Sequence, residues 1–443
     1  MQEPVKVCIV GAGMAGLSSA VFLKEYGINV ILTEASPRPG GRVCSYFDNQ
    51  LGDYLDNGQH ILASWYFSTL ELLKITGTIG KLKFQEQMEV HLADIQGKQF
   101  LFKCPKLPPP LHLLSGIWKY KALKLNDKLG IIRLMNFLIL KKYEDYELKA
   151  IDLTELFKIT NQPQNLIKMF WEPFVLAVFN SKPKDVCAWY FSNIVRHGFF
   201  KKDGANLILP LDSLNSIFVD GCVKYLEERN TSVMLQTRID CFNFNNNRVE
   251  SATLSNGNEI KADYYISAVP FYEFKNIVGD DIYSKHYNGI NNLTASPIIN
   301  IHHKINNHAK EVLNCDFVGM LGTVMQWVFK VKEGRICMII SSANEEIDKD
   351  KEVLIEMSKQ ELRQCLPSFK DVEFVYSKVF KEKRATFLPD IKSIGSRPSS
   401  KTTFNNFFIA GDWTDTGLPS TIESAVLSGK NCAYEIIKSI HSK

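Results

Sequence analysis

Val5-Lys6-Val7-Cys8-Ile9-Val10 is a run of β-branched and apolar side chains of the length and composition of a buried strand in a parallel sheet. After a glycine-rich gap, Ala15, Leu17, Ala20, Val21 and Leu23 recur at helical spacing and stop near Gly27. Asn29-Val30-Ile31-Leu32-Thr33 then returns to the strand pattern. A strand–helix–strand unit is predicted. Strand character also marks Ser232 to Ile239, Tyr264 to Pro270, and Phe407-Phe408-Ile409-Ala410, the last followed by a helix start within Leu418 to Val426. Asn245-Asn246-Asn247 reads as a hairpin tip. Between Pro105 and Leu140, apolar and basic residues interleave, as in Ile117-Trp118-Lys119-Tyr120 and Ile131-Ile132-Arg133-Leu134-Met135. That pattern fits both a buried helical core and helices lying against a lipid surface.

The gap in the first unit is Gly11-Ala12-Gly13-Met14-Ala15-Gly16, a G-x-G-x-x-G placed between a strand and a helix. The first glycine makes the tight turn, the second admits a pyrophosphate to the backbone, and the third lets helix and strand pack closely. The helix N-terminus then faces the phosphates with its dipole. Glu34, followed by Ala35, ends the second strand where an acid accepts hydrogen bonds from ribose hydroxyls, which disfavours a 2′-phosphate. In Pro39-Gly40-Gly41-Arg42 two glycines permit close approach, and the Arg42 guanidinium can neutralise pyrophosphate charge.

An acid-terminated second strand followed by G-G-R resembles the glutathione-reductase-like FAD proteins of the amine oxidase and phytoene desaturase group. The resemblance implies an α/β fold, with a discontinuous FAD-binding Rossmann domain and an α+β substrate domain. Residues 1–66, 205–275 and 386–443 are expected to form the first, and 67–204 with 276–385 the second. Ser232 to Ile239 is then expected on the adenine side of FAD, contributing Ile239, and Tyr264 to Pro270 beside the phosphates, contributing Ala268. Gly411-Asp412 at a strand end and Leu418, Thr421 and Ile422 at a helix start are expected to close the same site.

Three strings narrow the resemblance: Asp56-Asn57-Gly58-Gln59-His60, Trp171-Glu172-Pro173-Phe174-Val175-Leu176-Ala177 with Asn180 following, and Gly411-Asp412-Trp413-Thr414-Asp415-Thr416-Gly417-Leu418-Pro419. Together they resemble the squalene-associated FAD proteins, the hydroxysqualene dehydroxylases, over nearly the whole chain. That family tends to have Leu-Cys and Thr-Pro-Pro where this chain has Phe174-Val175 and Ser181-Lys182-Pro183. The resemblance implies reductive removal of an allylic hydroxyl from hydroxysqualene to give squalene, on a route to hopanoids or related triterpenes. Gly58, Gln59 and His60 are expected near the flavin. His60 and Glu172 are the candidate general acids, each set against a structural role: a histidine bonded to a nearby carbonyl, and a packed helix-breaking corner at Pro173. The residues name no electron donor. A desaturase of phytoene or dehydrosqualene, an amine oxidase and a non-catalytic isoprenoid carrier of the GDP-dissociation-inhibitor type are the rival readings.

Composition adds mainly exclusions. At 443 residues, against roughly 100–200 per domain, two or three units are expected. The net charge of +4 contains no basic block, so nucleic acid is not an expected partner. Ten cysteines without a C-x-x-C pair point to free thiols and a cytoplasmic location, with peripheral contact on the inner face of the membrane near 107–140 as a companion expectation. No stretch reaches the roughly 18–20 uncharged apolar residues of a spanning helix. No metal is expected, because His302 and His303 are adjacent on a strand and point to opposite faces, and no ligand set completes them with His308.

Overall fold

The computed structural model describes residues 5–140, 145–200, 206–306 and 313–442; the expected boundary near 205 and His308 lie outside them. Its first layer is a five-stranded parallel sheet in the order Val233–Met234, Asn29–Thr33, Lys6–Val10, Tyr264–Ser267, Phe407–Ile409. Strand alternation sends the side chains of Lys6–Val10 to two different cores. Val7 and Ile9 pack with the helices Met14–Glu25 and Ile422–His441, whereas Cys8 and Val10 join Tyr265, Phe407 and the ring of Phe242 on the opposite face. The two helices nearly touch at Gly429, where a Cβ would sit 2.4 Å from the Ala15 carbonyl oxygen. The C-terminal helix can close on the N-terminal one only because that position carries no side chain.

The run Ser232 to Ile239 is not one strand. Pairing ends at Met234, Gln236 turns the chain with φ of 50°, and Ile239 opens an antiparallel meander of Ile239–Asn245, Arg248–Leu254 and Glu259–Ile260. The Gln236 and Thr237 amides donate to the carbonyls of Ser36 and Glu34, which draws this turn across the end of the second strand. Asn246 adopts φ of 51° at the tip between the first two meander strands, where the asparagine run predicts a hairpin. The last helix begins at Ile422, later than Leu418, with the Thr421 hydroxyl capping the Ser424 amide.

The second layer is a seven-stranded sheet, in the order Phe374–Phe387, Ala295–Ile305, Arg335–Ser341, Trp327–Lys332, Phe317–Leu321, Glu89–Asp94, Gln99–Lys103. One face packs Ile299, Ile301, Met338 and Ile340 against Leu354 and Leu362 of the helix Lys351–Cys365. The other face looks toward the first layer and a cap of helices that includes Leu111–Lys119, Leu125–Ile139, Glu172–Phe179 and Ala188–Phe200. In this cap Trp171 is fully buried and donates to Gln162 Oε1 at 2.9 Å. Pro173 does not break the helix there, because a π-helical turn over Ile167–Trp171 leads into it and absorbs the missing amide.

Candidate active site

One cavity of about 790 Å³ runs between the two layers. At one end lies the glycine loop. Gly13 caps the helix Met14–Glu25 and lines the cavity, and a Cβ added to it would meet nothing within 4 Å. Gly16 has the opposite environment: a Cβ would fall 1.8 Å from the Gly11 carbonyl oxygen, so this glycine lets the helix sit against the turn. Glu34 lines the cavity with both carboxylate oxygens anchored, Oε2 by the Ala12 amide and Oε1 by the Ser36 amide, each at 2.8 Å. Each oxygen retains a lone pair for a further donor.

Arg42 and Asp412 meet across the wall, although they lie at opposite ends of the chain. Arg42 Nη2 stands 2.5 Å from Asp412 Oδ1, and Nη1 donates to the Ala385 carbonyl at 2.6 Å. Ser420 donates to the other oxygen of Asp412. The loop carrying Asp412 is held from behind by Arg397, which is buried and donates to the carbonyls of Asp412, Trp413, Thr414 and Leu418 and to the Tyr190 hydroxyl.

The other end is apolar. Leu113, Tyr120, Met169, Phe170 and Phe174 line it together with Leu92, Phe102, Trp327, Phe329 and Ile339 of the sheet floor. His60 sits at the junction of the two ends. Its Nδ1 lies 3.2 Å from the Gly58 carbonyl, which only accepts, so Nδ1 carries the proton and the neutral ring offers Nε2 as an acceptor. Burial holds the imidazole below the ordinary histidine pKa, against the opposing pull of the Gly58 carbonyl and the Asp56 carboxylate. His60 is therefore poorly suited to be a proton donor.

Residues 14–437 match the model of flavin-containing amine oxidoreductases. The chain belongs to that family. Within this family it is 30% identical to the hydroxysqualene dehydroxylase of Zymomonas mobilis over 433 residues, covering 96% of this chain and 97% of that one. The hydroxysqualene dehydroxylase of Rhodopseudomonas palustris is 27% identical over 435 residues, 96% and 97% of the two chains. A 15-cis-phytoene desaturase of Glycine max is 24% identical, over 98% of this chain and 80% of that one. Among solved structures, cyclohexylamine oxidase from Brevibacterium oxydans superposes with a TM-score of 0.72 at 13% identity, over 99% and 100% of the chains. An oxidoreductase from Methanosarcina mazei gives 0.74 at 15% identity, over 98% and 100%. The expected FAD-binding α/β fold is the fold of these flavoproteins.

This family member is an FAD-dependent oxidoreductase, and its residues suit the cofactor. The open space over Gly13 at a helix N-terminus admits a phosphate, and Glu34 keeps acceptor capacity for ribose hydroxyls. Of the residues singled out in the sequence, Gly11, Gly13, Met14, Ala15, Glu34, Ala35, Gly41, Arg42, Gly58, Gln59, His60, Ile239, Ala268, Gly411, Asp412, Thr421 and Ile422 line the one cavity.

Four do not. Ala12 is buried and serves through its amide to Glu34, and Gly16 packs on Gly11. Leu418 turns its carbonyl to Arg397. Glu172, at the start of its helix, is not brought to the cavity, although Pro173 and Phe174 beside it are. Sequence reasoning missed Arg397 and Asn300. The only signal for the latter was a polar residue interrupting Ile298-Ile299-Asn300-Ile301.

His302 and His303 do face opposite sides of their strand. His302 Nε2 donates to the Asp56 carbonyl at 3.1 Å, while His303 lies between the hydroxyls of Ser377 and Ser358. Among the described residues no group of three or more metal-ligating side chains comes together. Nor is any described helix long and apolar enough to cross a membrane.

Proposed function

We propose that this flavoprotein removes the allylic hydroxyl of hydroxysqualene reductively and releases squalene. One observation carries the reading: the dinucleotide cradle and a long chamber walled by aromatic and aliphatic side chains are a single cavity. In the net reaction the C–O bond breaks, the oxygen leaves as water after taking up a proton, and a hydride takes its place on carbon. Reduced FAD, when bound, is the hydride source.

The chain's own part is binding, orientation and exclusion of water. Phe102, Phe170 and Trp327 line the chamber, and aromatic rings there can stabilise an allylic cation while keeping water from capturing it. Arg42 and Asp412 fix the loop between cradle and chamber.

The same reading includes a docked bilayer. On the helix Leu111–Lys119, Leu113 lines the chamber while Leu111, Leu114 and Trp118 are exposed. Leu125, Leu129 and Ile132 continue the exposed apolar face on the next helix, with Lys119, Lys121 and Lys124 exposed among them. Such a face suits monotopic contact with anionic lipid, and it lies on the helix that also forms the chamber wall.

The test is an anaerobic single turnover: reduced holoenzyme mixed with hydroxysqualene, followed at the flavin absorbance and by mass spectrometry of the extract. Flavin reoxidation with stoichiometric squalene is expected. A flavin that stays reduced without product overturns the reading, and oxidation of phytoene by the oxidised enzyme would replace it with desaturation. Flotation with anionic liposomes, lost in a Trp118→Glu, Leu114→Glu variant, tests the membrane contact separately.

A further inference from the structure

The floor of the chamber can be read as a row across the second sheet. Asn300 pairs with Phe380 on one side and Ile339 on the other, Ile339 with Trp327, Trp327 with Gly319, Gly319 with Leu92, and Leu92 with Phe100. Directly paired residues project to the same face, so this row crosses all seven strands with one carboxamide in it.

Asn300 is 1% exposed and lines the cavity, and among the described residues neither Oδ1 nor Nδ2 has a hydrogen-bond partner. The chain makes room for it. A Cβ on Gly58, whose φ is 119°, would stand 3.1 Å from Asn300 Oδ1 and 3.2 Å from Nδ2. Asn180 supplies the contrast within the same protein: equally buried, it places Oδ1 on the Ser342 amide and Nδ2 on Thr386 and two carbonyls. Asn180 is a structural asparagine, and Asn300 has no structural partner to serve.

A buried amide left unpaired costs stability, and an apolar residue of the same shape removes that cost. A carboxamide in this position is useful to a ligand with a group that both donates and accepts, which describes an alcohol. A pure hydrocarbon leaves it unpaired, and an ionic ligand would find no counter-charge in this row of the floor.

We propose that Asn300 is the specificity residue that holds the hydroxyl oxygen of the substrate. The inference rests on the reading of the protein as an alcohol-reducing enzyme of polyisoprenoids, and it places that alcohol against the sheet floor beside Gly58.

The experiment uses oxidised FAD-loaded enzyme, which binds substrate without turning it over. Hydroxysqualene and squalene, in detergent micelles, are titrated against the tryptophan fluorescence and the flavin absorbance of wild type, Asn300→Leu and Asn300→Met. Wild type is expected to favour the alcohol by about two- to tenfold, the span of one neutral hydrogen bond. Both variants are expected to lose that preference while keeping squalene affinity and flavin content and melting at or above the wild-type temperature.

A preference that survives in either folded variant overturns the proposal. So does loss of flavin or a lower melting temperature with the preference intact, since Asn300 would then serve the cofactor or the fold. The methionine variant, with its adaptable side chain, covers the case in which leucine misfolds. Equal wild-type affinities overturn this proposal alone and leave the turnover test standing. Wild type that holds FAD and binds neither compound overturns the functional reading and this inference with it.

Discussion

Asn180→Ala is expected to be among the most destabilising single changes in the cap. The residue ends the helix Glu172–Phe179 in the left-handed region, at φ 50° and ψ 39°. From there its carboxamide clamps two strands of the second sheet. Ser342 N donates to Oδ1 at 2.6 Å, and Nδ2 donates to Thr386 Oγ1 at 3.0 Å. Alanine would leave the buried Ser342 amide unpaired, at about 1–3 kcal/mol. It would also hold an L-residue without asparagine's local hydrogen bonds in the left-handed region, for about another 1 kcal/mol. The lost Thr386 contact adds about 1 kcal/mol, for a total near 4 kcal/mol. Glycine at the same position relieves the backbone part alone, so Asn180→Gly should recover about 1 kcal/mol of the loss. Urea unfolding of holoenzyme, followed by flavin release and far-ultraviolet circular dichroism, measures both. Equal midpoints for the two variants would refute the backbone part, and an alanine variant within about 0.5 kcal/mol of wild type, the range of ordinary surface substitutions, would refute the clamp.

Three further outcomes are expected. Gly429→Val drives side-chain atoms into the Ala15 carbonyl, which a Cβ alone approaches to 2.4 Å; overpacking of about 1–3 kcal/mol should lower both the melting temperature and the flavin content, and full flavin loading would count against closure of the site by the last helix. Burial lowers the pKa of His302 to about 4 and of His303 to about 3, with Lys359 adding to the latter. Both folded values lie below an unfolded value near 6.5, so this stability is complete above pH 6.5 and is lost as pH falls toward 4, by about 3 kcal/mol for His302. His303→Gln should flatten the fall in urea midpoint between pH 7 and 4.5, and an unchanged slope would dismiss the linkage, to which the half-buried Asp56, raised by desolvation, contributes in the opposite sense. Finally, because the His60 ring is neutral with its proton on Nδ1, His60→Gln should slow turnover by less than about tenfold, whereas removal of a true general acid costs about 10²- to 10⁴-fold.

What the sequence made legible follows from how local each signal is. The cradle is a short-range device: strand, glycines, helix and Glu34 lie within 34 residues, and each glycine has a steric reason readable in place. Arg42 and Asp412 were recognisable one at a time, but their ion pair joins residues 370 positions apart and only folding reveals it. Pattern reading went astray where tertiary hydrogen bonds overrule it. Ser232 to Ile239 looks like one strand until the Ser36 and Glu34 carbonyls bend it. Glu172 was a candidate acid because its string is one of those that carry the family resemblance, yet helix phase turns Phe174 and Ala177 to the cavity instead. Asn300 was invisible for the opposite reason. A single polar residue in an apolar strand has no meaning until the sheet face it occupies is known.

The two layers also need a fixed separation, since a hydride passes only between atoms held in contact. The hairpin of Ser45–Asp48 and Asp53–Asp56 bridges them. By sequence it belongs to the dinucleotide unit, between the G-G-R turn and Gly58. Its contacts reach both layers: Leu214 N donates to Asp56 and Asn215 exchanges hydrogen bonds with Ser45, while Asp53 pairs with Lys332 and Arg335, Asp48 accepts from the Tyr376 hydroxyl, Tyr46 stacks on Phe380 at 5.5 Å, and the Asp56 carbonyl accepts from His302. The latter partners are side chains of the seven-stranded sheet, and Phe380 is the partner of Asn300 across its strand pair. The segment that leaves the cofactor cradle therefore grips the strand of the proposed hydroxyl site at His302 and its neighbour at Phe380, before returning at Gly58 to cover that site. The boundary expected near residue 66 falls after this hairpin, so the segment assigned to the dinucleotide unit also holds the floor beside the proposed hydroxyl site.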